Sequence, residues 1–154
     1  MKNIVPYPLA SVILLTFLAG NPSITFAQIN LNQHKVAVSG YDIISYHQSK
    51  PMLGSEDYKV TYQDAIYLFK NETHKNKFKS NPEKYIPQYG GWCAYAMGKN
   101  GEKVKIDPQS YTLEQGKLYL FYKSAFNDTR KKWINNTESL KSKANENCKN
   151  LIKN

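Results

Sequence analysis

The sequence predicts an α+β protein built from small antiparallel hairpins that pack with short helices and a C-terminal helical segment. Two pairs of β-branched or aromatic stretches, each joined by a two-residue turn, predict the hairpins, and residues at helical spacing follow the second pair. A hydrophobic fraction of 41% over 154 residues, with 12 Tyr, 6 Phe and 2 Trp, is sufficient for a packed core. This composition excludes a disordered tail, a coiled coil and a polytopic membrane protein, and it disfavours a large multidomain enzyme.

Residues 1–27 have the layout of a secretory signal. Lys2 supplies the positive charge, residues 9–19 form a compact apolar run, and residues 25–27 precede a cleavage site at Gln28. A retained membrane anchor is the alternative, but the apolar run is shorter than the ~20 residues that a span requires. We therefore expect residues 28–154 to form a single domain with a C-terminal helical extension. After signal cleavage this domain is expected to be periplasmic or secreted and not membrane-spanning.

The first half of this domain contains the first hairpin and a capped helix. Residues 58–62 alternate as a half-buried strand does, Gln63 and Asp64 mark a turn, and residues 66–69 return as a second strand. Asn71 is a good N-cap for a helix over residues 72–79 with Phe78 facing inward. Pro82 is expected to begin the next short element.

The second half is predicted to contain a buried segment, a second hairpin and two helices. Residues 92–97 are apolar and follow Gly90 and Gly91, residues 103–106 indicate an edge strand, and residues 111–114 and 117–122 flank a two-residue turn. Ser124 is a candidate cap for a helix carrying Phe126, Arg130 and Trp133. A further helix is expected from about residue 138 to residue 151.

The formal net charge of +9 comes almost entirely from lysine, because 20 of the 21 cations are Lys and only Arg130 is Arg. Nucleic-acid readers depend on Arg for bidentate contacts, so no nucleic-acid partner is expected. The C-terminal excess of cations favours a solvated helix face, with docking on an anionic membrane surface as the alternative.

Several spaced motifs are similar to one known family. Residues 67–78, followed by residues 81–85, resemble the YHS-domain family, and residues 39–42, 87–96, 107–108 and 116–120 are similar to its exported, single-domain branch. The resemblance covers roughly residues 37–133. It implies a link to heavy-metal handling, for which the wider family uses two cysteines separated by three residues. Here Lys70 stands at the first of these positions and His74 at the second.

Cys93 is the candidate soft metal ligand. Met97 would share a helix face with it, and His74 or His47 would complete a shell of thiolate, imidazole and thioether donors. Such a shell suits copper, or zinc, and does not suit Ca²⁺ or Mg²⁺. Two alternatives stay open for Cys93, a buried structural thiol beside a core Met97, and a disulfide with Cys148 in an oxidising compartment.

The chemistry of the sequence favours a binding module over an enzyme. It contains no Gly-rich phosphate cradle, nucleophile elbow or paired-histidine zinc motif. The turn chemistry of Asp42 and Asp107 predicts carboxylates that accept backbone N–H groups. The expected function is therefore an exported module that binds a soft or borderline metal ion, copper being favoured, in envelope metal homeostasis. The alternatives are a metal-free domain that contacts an envelope protein through an exposed Tyr-rich patch, with Cys93 structural, and a thiol-dependent enzyme.

Overall fold

Two separate two-stranded antiparallel sheets and six α-helices make up residues 29–153, which are the residues that the computed structural model describes. This architecture confirms the predicted α+β class. The predicted signal at residues 1–27 lies outside the described residues.

The first hairpin joins β1, Ser55–Tyr62, to β2, Ala65–Phe69, with Tyr62 opposite Ala65. The turn residues Gln63 and Asp64 have φ values of 48° and 55°, the left-handed conformation that a two-residue hairpin turn requires. Strand β1 exposes alternate side chains, whereas four of the five residues of β2 are buried. The prediction of this hairpin is confirmed.

Helices α1 (Ile43–Tyr46) and α2 (Glu72–Ser80) pack against this hairpin, and the short helix α3 (Pro82–Tyr85) packs against α2. The predicted cap is confirmed, since the Asn71 side chain accepts a hydrogen bond from the His74 N–H, 2.9 Å away. The Phe78 ring packs 5.0 Å from the ring of Tyr67 and 5.1 Å from that of Phe69. These rings lie in the first of two hydrophobic clusters.

The second hairpin joins β3, Asp107–Glu114, to β4, Lys117–Phe121, as predicted. The predicted edge strand at residues 103–106 is wrong, because these residues form no strand. Their backbone instead contacts the residue that precedes helix α4 (Ala94–Asn100), since the Cys93 N–H donates to the Val104 carbonyl at 3.0 Å.

The second cluster gathers around Trp133 and lies between β4 and the helices α4 (Ala94–Asn100), α5 (Thr129–Ile134) and α6 (Thr137–Lys153). Gly98 allows α4 to approach α6 closely, because a Cβ atom at this position would overlap the Leu140 carbonyl oxygen. No helix among residues 29–153 has the length and apolar character needed to cross a membrane.

The predicted start of helix α5 is wrong, whereas the predicted C-terminal helix is confirmed as α6. The cap of α5 is Asp128, whose Oδ1 accepts from the Arg130 N–H at 3.1 Å, and not Ser124. Ser124 instead donates its N–H to the Asn127 carbonyl at 2.9 Å and closes a tight loop. Phe126 therefore lies in this loop and is fully exposed.

Candidate functional site

A buried carboxylate at Asp42 joins α1, the residue that follows β2, and α2. Its Oδ1 accepts from the Ile44 N–H at 2.8 Å and caps α1, while its Oδ2 accepts from the Lys70 N–H at 2.9 Å and from His74 Nδ1 at 2.6 Å. Asp42 is completely buried. Three N–H donors surround the group, which suits an ionised carboxylate because this form only accepts hydrogen bonds.

Both nitrogen atoms of the His74 ring have partners. Nδ1 faces a carboxylate and therefore carries a proton, so in the neutral ring Nε2 is the acceptor. The side-chain amide nitrogen of Gln48 lies 3.1 Å from Nε2 and can donate to it. A metal ion could take this lone pair only by displacing Gln48.

The Cys93 thiol is completely buried at the start of α4. Its sulfur lies 3.4 Å from Thr129 Oγ1, and this hydroxyl donates to the Tyr122 carbonyl oxygen at 2.6 Å. Because the hydroxyl proton is already used, Oγ1 accepts from Cys93, which acts as an S–H donor. This chain of hydrogen bonds ties α4 to β4 and α5.

Cys93 also lines a surface depression of about 230 Å³. The aromatic residues Tyr95 and Tyr122, together with Val104 and Thr129, form part of its wall. The thiol itself is buried, and the exposed residues of this wall are Lys99, Asn100 and Glu102.

Met97 and His47 occupy other surroundings. Met97, one turn along α4 from Cys93, is 1% exposed and packs in the second cluster. The ring of His47 meets that of Tyr85 edge-on at 5.2 Å, and its buried Nε2 has no hydrogen-bond partner among the described residues. Burial lowers the pKa of His47, and the nearby cations Lys84 and Lys77 lower it further.

The four predicted ligands thus have different partners. His74 pairs with Asp42, Cys93 with Thr129 and His47 with Tyr85, while Met97 packs in the second cluster. Residues 29–153 contain no group of three or more His, Cys, Asp or Glu side chains that could hold a metal ion. The metal site stays a prediction.

Both cysteines are free, so the disulfide that the sequence allowed is not formed. Cys148 is half-buried on α6, and burial raises the pKa of its thiol. It lies among the residues that pack against the second cluster.

Sequence reasoning assigned Asp42 to a turn but missed its partnership with His74, 32 positions away. The backbone N–H bonds predicted for Asp42 and Asp107 are confirmed, since Asp107 Oδ1 accepts from the Gln109 N–H at 2.9 Å. The only signal for the longer connection was that both residues stand within the family-like motifs. Gln48 had no such signal.

A second feature is the exposed, positively charged surface around Phe126, for which the C-terminal excess of cations was the only signal in the sequence. A depression of about 550 Å³ here is lined by Lys123, Arg130, Lys131 and Lys132, and Asp128 is the one acid among the described residues that line it. Phe126 and Ile134 are two of the three exposed large hydrophobic residues in the described part of the chain. In contrast, every tyrosine among residues 29–153 is buried or half-buried, so an exposed Tyr-rich patch is not found there.

The resemblance to the YHS-domain family rests on the motifs of the sequence. The chain has no match among protein-family models, among curated proteins or among solved structures. Membership of the family therefore stays a prediction. The geometry around Asp42, Cys93 and Phe126 does not depend on it.

Proposed function

We propose that this protein is a metal-free interaction module of the cell envelope, in which Asp42, His74 and Cys93 stabilise the fold. The observation that carries the proposal is the complete engagement of the His74 ring, between a buried carboxylate and the Gln48 amide. An imidazole in this position acts as a connector between α1 and α2. Binding a metal ion there would break the contact with Gln48.

The surroundings of Cys93 support the same proposal. The Cys93 sulfur is completely buried and lies 3.4 Å from Thr129 Oγ1, whereas reactive and catalytic cysteines lie in partly exposed surroundings. Free cysteine is among the most buried residue types in proteins, and Cys93 follows this behaviour. Interactions with other molecules would then take place at the exposed surface.

Export is part of the proposal, because the sequence of residues 1–27 has the layout of a cleaved signal. Cell fractionation, with the amino terminus of the purified protein determined by mass spectrometry, tests it. We expect a chain that begins at Gln28 in the periplasmic or secreted fraction. A chain that begins at Met1 and stays in the cytoplasm contradicts it.

A metal titration tests the proposed function. The purified protein is titrated with Cu(I) or Zn²⁺ against a competing chelator, alongside His74→Gln, Cys93→Ser and the matched control Cys148→Ser. We expect no stoichiometric binding that outcompetes the chelator, and no rise in melting temperature on adding metal. Stoichiometric binding that His74→Gln and Cys93→Ser abolish, and Cys148→Ser preserves, would overturn the proposal in favour of the metal-binding module.

A further inference from the structure

The loop over residues 123–128 displays a bare aromatic side chain at the protein surface. Ser124 N–H donates to the Asn127 carbonyl at 2.9 Å, and Lys123 and Asp128 pair as an antiparallel bridge, so hydrogen bonds close the base of the loop. Phe126 between them has a relative exposure of 102%, as high as in an extended peptide. The loop therefore holds an unshielded apolar ring in water.

Cations surround this ring. Lys123, Arg130, Lys131 and Lys132 line the adjoining depression of about 550 Å³. Within residues 29–153 none of the four forms an ion pair, although Lys132 Nζ donates to Asn127 Oδ1 at 2.8 Å and lies over the ring of Tyr95. Because no ion pair neutralises these charges, the surface attracts an external anion.

The carboxylate of Asp128, the acid of this surface, is hydrogen-bonded to the backbone and not to a cation. Asp128 Oδ1 accepts from the Arg130 N–H at 3.1 Å as the cap of α5. A second exposed apolar side chain lies on α5. Ile134 is 57% exposed and stands four residues after Arg130, so the two residues share a helix face. We call Lys123, Phe126, Arg130, Lys131, Lys132 and Ile134 the Phe126 surface.

We infer that the Phe126 surface docks on an anionic lipid bilayer. An exposed apolar side chain flanked by long cationic ones is the arrangement of interfacial membrane binding, in which the ring enters the boundary between headgroups and acyl chains while Lys and Arg reach the lipid phosphates. A protein hot spot is centred in a surface whose neighbouring residues exclude water. The cations beside Phe126 are instead mostly exposed, at Lys123, Lys131 and Lys132. This inference goes beyond the proposed function, and its test is independent of metal content.

Vesicle co-sedimentation tests the inference with protein purified from cells that export it. The vesicles contain phosphatidylethanolamine with or without phosphatidylglycerol, and phosphatidylcholine vesicles serve as the neutral reference. We expect binding to the anionic vesicles that weakens with added salt. Each cation near an anionic bilayer strengthens binding about fivefold, so Lys131→Gln with Lys132→Gln is expected to weaken it about 25-fold.

Matched variants separate this surface from the overall positive charge. Lys77→Gln with Lys79→Gln changes the same charge on the exposed face of α2 and is expected to alter binding less than about threefold. Phe126→Ser is expected to weaken binding about tenfold, whereas Leu53→Ser, at another exposed apolar residue, leaves it unchanged. Circular dichroism of each variant confirms that it is folded.

A fluorescence measurement reports whether the side chain at position 126 enters the bilayer. In Phe126→Trp, the spectrum of the new tryptophan, obtained by subtracting that of the parent, is expected to shift to shorter wavelength with anionic vesicles. Equal binding to neutral vesicles, equal effects of the Phe126-surface and α2 variants, or an unshifted spectrum each overturns the inference. Binding to soluble polyglutamate that depends on the same cations, without binding to vesicles, also overturns it and points to an acidic polymer as the partner.

Discussion

Replacing Asp42 with alanine should strongly destabilise the protein, because this substitution removes the acceptor of three buried donors. The Ile44 and Lys70 N–H groups and His74 Nδ1 would all lose their partner in a site from which water is excluded. Each unsatisfied buried donor costs about 1–3 kcal/mol, and partial entry of water relieves some of this cost. We therefore expect Asp42→Ala to lower the free energy of unfolding by about 4 kcal/mol, a large part of the total of about 5–15 kcal/mol for a typical domain.

Urea unfolding followed by tryptophan fluorescence measures this change. Trp133 is buried in the second cluster and Trp92 packs against it, so tryptophan emission reports on a region away from the substitution. The slope of the transition checks that unfolding stays two-state. Asp107→Ala is the matched control, since the Asp107 carboxylate caps a single exposed turn N–H at 2.9 Å. Its expected cost is about 1 kcal/mol or less.

A loss in Asp42→Ala no greater than that in Asp107→Ala would refute this reasoning. If Asp42→Ala does not fold, Asp42→Asn provides the measurement, because the amide keeps one acceptor oxygen for the Ile44 N–H and His74 can change its tautomer. We expect it to lose about 2 kcal/mol. A double-mutant cycle with His74→Ala should then give a coupling energy of about 1–3 kcal/mol, and zero coupling would contradict a direct interaction.

Three further outcomes are expected. A thiol reagent should modify Cys148 in the native protein but Cys93 only after unfolding in urea, since Cys93 is completely buried; equal rates for the two thiols would contradict this. Gly98→Ala should lower the free energy of unfolding by about 3 kcal/mol or more, because the new methyl group would overlap the Leu140 backbone. In the control Gly116→Ala nothing lies within 4 Å of the new methyl group, so only the ~1 kcal/mol cost of the left-handed backbone is expected. Thermal unfolding measures both variants, and similar losses at the two glycines would contradict a close approach of α4 to α6. The pKa of His47 in the folded protein lies below its unfolded value of 6.5, so the unfolded state binds the proton more readily. The free energy of unfolding should therefore fall as the pH drops below about 6.5. This fall should be smaller in His47→Phe, and equal pH profiles of the two proteins would contradict the prediction.

The two hairpins could be predicted from the sequence because their signals are local. Gln63 with Asp64 and Gln115 with Gly116 are turn residues between apolar strands, and all four adopt the left-handed φ that the turns need. The N-cap at Asn71 is local in the same sense. The prediction of a strand at residues 103–106 was wrong although their alternation of Lys with Val and Ile has the period of a strand. The Val104 carbonyl there accepts a hydrogen bond from the Cys93 N–H.

The internal partners of the candidate ligands could not be predicted, since they depend on contacts between distant parts of the chain. Asp42 and His74 are 32 residues apart, and Cys93 and Thr129 are 36 apart. Tertiary packing decides whether a histidine near a motif faces a metal ion or a carboxylate. The position of Phe126 was missed for a different reason, because Ser124 and Asp128 are both good helix caps and only the fold selects the second.

The metal content of the protein purified from its own compartment tests the central claim most directly. The sample is assayed by elemental analysis without added metal or chelator, and its accessible thiols are counted before and after unfolding. Structural roles for His74 and Cys93 predict copper and zinc well below one equivalent per chain, and a second thiol that becomes accessible only on unfolding. One equivalent of either metal, lost in both His74→Gln and Cys93→Ser but kept in Cys148→Ser, would contradict them.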